Sequence, residues 1–162
     1  MPHHILKDHD HNQCISSALR SAEDICLQRG IKLTQIRRQV LEIIWQGHQP
    51  STAYDILDCL SQQQNKKVAP PTVYRALDFL LDNGLIHRLE SMNAYIGCDA
   101  PTTPHQSCFL ICSHCRSVAE LHDMPIYAAL AEEVRQEGFK AKGIMIEVKG
   151  VCADCVEQGQ SA

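Results

Sequence analysis

Apolar residues recur at Ile15, Ala18, Leu19, Ala22, Ile25 and Cys26, the three-and-four spacing of one helix face. The pattern predicts a helix over 15–29, stopped by Gly30. A second helix follows, with Thr34 as its cap and Ile36, Val40, Leu41, Ile43 and Ile44 as its stripe, ending at Gly47. Ser51 or Thr52 caps a third, which turns Ala53, Ile56, Leu57 and Leu60 inward. The fourth opens at Pro70-Pro71-Thr72, because a first turn needs no intrahelical N–H bond and tolerates proline. Val73, Ala76, Leu77, Leu80 and Leu81 make its apolar face, and Gly84 ends it. Thr72, Tyr74, Arg75 and Asp78 fall on its other side. Two short β-like runs come next, at 85–89 and 94–97, joined by a Ser91-Met92-Asn93 turn.

Three helices, a fourth with a polar N-terminal face and then a hairpin are the element order of a winged helix. In that arrangement the last helix enters the major groove with its N-terminal residues leading. Its first turn points backbone N–H groups toward phosphate. Arg75 can fork two hydrogen bonds onto guanine or pair with phosphate, and Tyr74 can meet a sugar or a thymine methyl. The pattern alone equally describes an amphipathic helix with a solvated face. Pro101 and Pro104 mark 99–104 as a hinge. Beyond it, strands are predicted at 107–111 and 117–121, a helix at 126–137 between Pro125 and Gly138, and a strand at 141–151. One helix and three strands in roughly 60 residues make a thin core, which would gain from a metal and a partner subunit. The predicted class is α+β: a disordered tail (1–13), a winged-helix DNA-binding domain (14–98), the hinge (99–104) and a small α/β domain (105–162).

Composition narrows the setting. The chain has 162 residues and no run of 18 apolar ones, so nothing in it is expected to span a membrane. Its start, M-P-H-H-I-L-K-D-H-D-H, has no apolar core and does not read as a secretory signal. Nine cysteines, an odd number, then read as thiols and metal ligands in the cytoplasm. Cys26 and Cys59 lie on or beside helical stripes and read as core. Net charge is −4, yet residues 1–97 carry ten Lys/Arg against ten Asp/Glu, while 98–162 carry five against nine. An anionic partner therefore meets the first half. Arg37 and Arg38 sit in its most basic stretch, and Lys66 and Lys67 form a second basic spot. With Thr72, Tyr74 and Arg75, these are the candidate DNA contacts.

Two C-x-x-C pairs, Cys112/Cys115 and Cys152/Cys155, have 36 residues between them. Each pair can turn both sulfurs toward one metal, and four thiolates close a tetrahedral zinc shell. Because the spacer exceeds that of a compact zinc ribbon, a small domain must bring the pairs together. Two redox motifs or a disulfide pair are the alternatives. Further ligand-type residues gather about the hinge: His87, Cys98, His105 and Glu120. Singly, each has an ordinary reading as a surface histidine, a buried thiol or a solvated charge. Together, two imidazoles, a thiolate and a carboxylate suit zinc, the thiolate disfavouring harder ions. An enzyme is not expected. No H-x-x-x-H helix or H-x-E with P-C-x-x-C is present, and neither C-x-x-C sits by a βαβ unit.

P-P-T-V-Y-R-A-L-D-F-L (70–80), G-L-I-H-R-L-E-S (84–91), F-L-I-C-S-H-C (109–115) and C-A-D-C (152–155), in that order, resemble the ferric uptake regulator family. The likeness runs over ~15–157 and is greatest to the family's zinc-sensing branch. It implies that 105–162 is an α/β dimerisation domain behind the winged helix, and a homodimer that represses zinc-uptake genes when zinc is bound, one or two dimers sitting on an AT-rich inverted-repeat operator in double-stranded DNA. It implies two zinc ions per protomer: a structural one on Cys112, Cys115, Cys152 and Cys155, and a regulatory one on His87, Cys98, His105 and Glu120. Iron-sensing relatives place a carboxylate at the position of Cys98. The T-V-Y-R match carries DNA contact onto Tyr74 and Arg75. Where many relatives have a histidine-rich run, 103–107 has His105 alone, so a further metal site, for which His114 and His122 are the available ligands, is not expected. Within the family, the alternative is a regulator answering iron, manganese, nickel or peroxide.

Overall fold

The computed structural model describes residues 11–47, 49–102, 106–122 and 124–160. These divide into two compact units, 11–102 and 106–160.

In the first unit, α1 (His11–Gln28), α2 (Gln35–Trp45), α3 (Ala53–Gln63) and α4 (Pro70–Asp82) surround one apolar core. Helix α1 begins at His11, inside the stretch read from sequence as tail; residues 1–10 of that tail lie outside the described ones. Thr34 caps α2 by accepting from the Arg37 N–H. Thr52 caps α3 more completely: its hydroxyl accepts from the Asp55 N–H at 3.2 Å, and the Asp55 carboxylate accepts from the Thr52 N–H at 2.9 Å. No side chain caps α4; packing secures it instead. Val73, Ala76, Leu77 and Leu80 are buried, each larger side chain contributing roughly 1.5–3 kcal/mol against about 1 for a cap. The α4 N-terminus is therefore left for something outside the core. At its far end Gly84 takes φ +69° and the Leu85 N–H reaches back to Leu80 O at 2.9 Å, which stops the helix.

The hairpin β2 (Ile86–Leu89) and β3 (Ala94–Gly97) follows, turning at Asn93 with φ 47°. A two-residue strand, β1 (Ser51–Thr52), pairs antiparallel with β3 through Ser51↔Tyr95 and Thr52↔Ala94. Two polar residues carry no periodicity, so that strand has no sequence signal. Gly97 is buried where a Cβ would collide with the Trp45 indole, so the last residue of α2 rests directly on the end of β3.

The second unit is a sheet ordered β5-β4-β6, with β4 (Ser107–Cys112) central, β5 (Val118–His122) antiparallel to it and β6 (Ile146–Gly150) parallel to it. Helix α5 (Ile126–Gln136) connects β5 toward β6, and α6 (Ala153–Glu157) follows. The predicted strand 141–151 shrinks to β6, because the earlier stretch, with Lys142 and Gly143, pairs with no strand among the described residues. Helix α6 is too short to show a helical period. Phe109 is fully buried, but Leu110, Ile126, Leu130, Phe139, Met145, Val148 and Val156 are exposed, and α5 buries only Tyr127. The core is thin, as expected.

Candidate metal centres and nucleic-acid face

The parallel pairing of β4 with β6 sets Cys112 opposite Gly150, two residues before Cys152. Both knuckles thus leave the same end of the sheet, and the Ser113 N–H donates to Gly150 O at 2.8 Å to tie them. Cys112 ends β4, Arg116 turns the first knuckle through φ 60°, Cys152 precedes α6 and Cys155 lies within it. All four sulfurs lie within 4.8 Å of one another. Cys112 Sγ is 3.8 Å from Cys155 Sγ, and Cys115 Sγ is 3.7 Å from Cys152 Sγ. A tetrahedron of ~2.3 Å Zn–S bonds has edges of about 3.8 Å, whereas a disulfide needs about 2.05 Å. The donor set therefore fits zinc and rules out the disulfide reading for these sulfur pairs.

Local electrostatics point the same way. Burial pushes the Cys112 thiol up, but backbone N–H groups of Cys152, Cys115 and His114 outweigh it and bring it to about 6. The Cys152 N–H lies 3.4 Å from Cys112 Sγ. Cys115 is lowered chiefly by the Ser117 hydroxyl, 3.0 Å away. Cys155 goes the other way, up to about 12, chiefly through Cys152 and then burial. Without a metal, four crowded sulfurs cannot share so much negative charge. A divalent cation removes that conflict, and zinc binding is then weakened as pH falls because protons compete for the thiolates.

Of the second group of ligand-type residues, two lie in the first unit and one is described in the second. In the first, His87 lies on β2 and Cys98 follows β3, the Cys98 N–H donating to Leu85 O at 3.1 Å. Hairpin pairing brings their ligand atoms within 4.8 Å of each other, an imidazole–thiolate pair of the kind zinc takes. In the second unit, Glu120 stands on β5, its carboxylate accepting from the Ser107 hydroxyl, with His122 Nδ1 3.8 Å away. His105 lies outside the described residues, as do the last two hinge residues, Thr103 and Pro104. Cys26 is buried and its thiol pushed up by that burial, and Cys59 packs against the core; both are core residues.

On the first turns of α4, Tyr74 (44% exposed) and Arg75 face solvent, with Thr72 half-buried beside them. Lys66 and Lys67 are exposed on the approach to that helix. Arg37 and Arg38 are otherwise engaged. The Arg37 guanidinium lies 3.5 Å over the Phe79 ring and donates to Lys32 O at 2.6 Å, while Arg38 pairs with Glu23. Among the described residues, no helix is long and apolar enough to cross a membrane.

A family model, "Ferric uptake regulator family", matches residues 28–149. The chain belongs to the ferric uptake regulator family. Among the relatives of this family member is the zinc uptake regulation protein of Escherichia coli (strain K12), 40% identical over 142 residues, covering 86% of this chain and 81% of the relative. A zinc uptake regulator solved in complex with zinc and DNA matches with TM-score 0.85 and 38% identity, covering 90% of this chain and 97% of that one. The crystal structure of holo XcZur matches with TM-score 0.80 and 42% identity, covering 87% and 98%. The winged-helix half and the α/β half with its four clustered cysteines are thus those of a Fur-family regulator.

Two residues beside Glu120 were not expected there from the sequence: Ser107, which had no site reading, and His122, which was considered only for a further metal site with His114. Neither makes a motif. Only the strand register, Ser107↔His122 next to Phe109↔Glu120, gathers them at Glu120.

Proposed function

We propose that this protein is a zinc-responsive transcriptional repressor, not an enzyme, that binds an AT-rich inverted-repeat operator as a homodimer when two zinc ions are bound per protomer. The observation that carries the reading is Cys98 beside His87 on the hairpin that follows α4. A thiolate–imidazole pair selects zinc over oxygen-loving ions, and it stands on the unit whose α4 presents Tyr74 and Arg75. The zinc uptake regulators among the relatives support the same inducer.

In this reading Cys112, Cys115, Cys152 and Cys155 hold zinc permanently and complete the thin second unit. Exposed Leu110, Val148, Phe139 and Met145 on that unit meet a second copy. Zinc supplies four-coordinate bonding and no redox chemistry at either site. His87 and Cys98, joined through zinc to His105 and Glu120, restrict the hinge 99–104, so that the two α4 helices of a dimer match successive major grooves. Arg75 and Tyr74 then read bases, while Thr72, Lys66 and Lys67 meet phosphates; Arg37 and Arg38 join them only on leaving Phe79 and Glu23. A coupling of about 3 kcal/mol would change DNA affinity ~150-fold, and DNA would tighten zinc by the same factor.

The test is DNA binding on genomic fragments against buffered free zinc, with iron(II) and manganese(II) in parallel and retained zinc counted. The expected result is a switch at very low free zinc as the count rises from one to two per protomer. A switch driven by iron or manganese instead would transfer the regulator to another inducer. Specific binding indifferent to every metal would sink the second site.

A further inference from the structure

We propose that Ser107 is a positioning residue that makes Glu120 a one-oxygen metal ligand and thereby sets the coordination number of the second site. This rests on the reading of Glu120 as a ligand and adds how that ligand is presented. Ser107 (7% exposed) and Glu120 (8%) are the buried polar and charged residues among those described. Burying a carboxylate costs several kcal/mol unless it is hydrogen-bonded or paired. Here the register sets Ser107 directly opposite His122, two residues beyond Glu120, so all three side chains lie on one face of the β4–β5 pair. The Ser107 hydroxyl donates to Glu120 Oε1, and His122 Nδ1 stands 3.8 Å from that same oxygen.

Oε1 thus carries the hydrogen bond from Ser107, so a metal held by Glu120 takes one oxygen rather than chelating both. That matters for selection. Zinc sites are four-coordinate and are satisfied by one carboxylate oxygen, whereas harder divalent ions prefer more oxygens, often both from one carboxylate. A hydroxyl on Oε1 opposes the two-oxygen mode and favours the low coordination number. Outer partners of this kind change metal affinity roughly 10–100-fold when removed.

The experiment uses the full chain with its structural zinc retained, and titrates the second site with buffered zinc and separately with cobalt(II). Tetrahedral cobalt gives intense visible d–d bands; five- and six-coordinate cobalt gives weak ones. In Ser107→Ala, zinc affinity at the second site is expected to fall about 10–100-fold, and the cobalt bands to lose intensity. Ser107→Thr keeps the hydroxyl on a residue that suits a strand and should restore both. Wild-type affinity and spectrum in Ser107→Ala would overturn the proposal. So would equal weakening in both variants with an unchanged spectrum, which is the mark of lost packing. Glu120→Gln separates the two layers. If it binds zinc normally, the ligand assignment itself fails and this proposal falls with it. If it binds poorly while Ser107→Ala is silent, Glu120 stands as ligand and only the positioning role is lost.

Discussion

The two ligand sets proposed for this molecule differ in where their residues live. Cys112, Cys115, Cys152 and Cys155 all belong to one unit, and backbone pairing of β4 with β6 sets them at sulfur–sulfur spacings of 3.7 and 3.8 Å. His87 and Cys98 belong to one unit, Glu120 to the other. A set contained in one body can only hold that body together, since nothing about it changes when the units move. A set drawn from two bodies puts part of its binding free energy into their arrangement and so can report metal as geometry. In the proposed reading cysteine serves both, and its place relative to the hinge, not its chemistry, decides which role it plays.

The harshest way to break this comparison is Cys112→Ser. It should remove zinc from the four-cysteine site, for which structural sites of this kind are worth roughly 10–16 kcal/mol of apparent binding. The unit 106–160 should unfold and the protein become monomeric, seen as zero structural zinc and a halved mass in sedimentation. A folded, zinc-free dimer would erase the distinction. Cys98→Ser comes next: it should cost about 3 kcal/mol of zinc-dependent DNA affinity, while one zinc per chain and the melting profile stay as they were. If the structural zinc is lost as well, the two sets are not independent. Arg75→Ala should weaken zinc-loaded DNA binding by roughly 2 kcal/mol without altering either zinc count. Undiminished affinity in a binding titration would remove it from the interface. The smallest effect is expected from Thr52→Ala, about 1 kcal/mol of stability confined to the unit 11–102. Calorimetry should show that unit melting earlier with zinc release unmoved; a shift in both would mean the units share stability.

Local features were the legible ones. The α4 face, the Thr34 cap and the hairpin rest on residues within a few positions of one another, and so did the grouping of cysteines into pairs. Beyond the four-cysteine cluster, what pairing across the chain creates was not readable: β1 exists only because β3 lies beside it, and the expected strand 141–151 is reduced to 146–150. Charge counting found the basic stretch but not the Phe79 ring beneath Arg37 or the Glu23 carboxylate at Arg38. The partners of Glu120 were hidden for the same reason. A serine and a histidine acquire meaning there only once β4 and β5 are in register.

The parallel pairing of β4 with β6 also sets a timetable. Cys155 follows Cys112 by 43 positions, and a ribosome adding about 5–20 residues per second needs roughly 2–9 seconds to cover them. Throughout that interval β4 has only β5 for a neighbour, and the first thiol pair waits without the second. The DNA-facing unit, complete by residue 102, has everything it needs to fold in the meantime. Each newly made chain therefore completes the unit 11–102 before the four-cysteine set exists, and Cys112 and Cys115 wait through that interval as an open half-site.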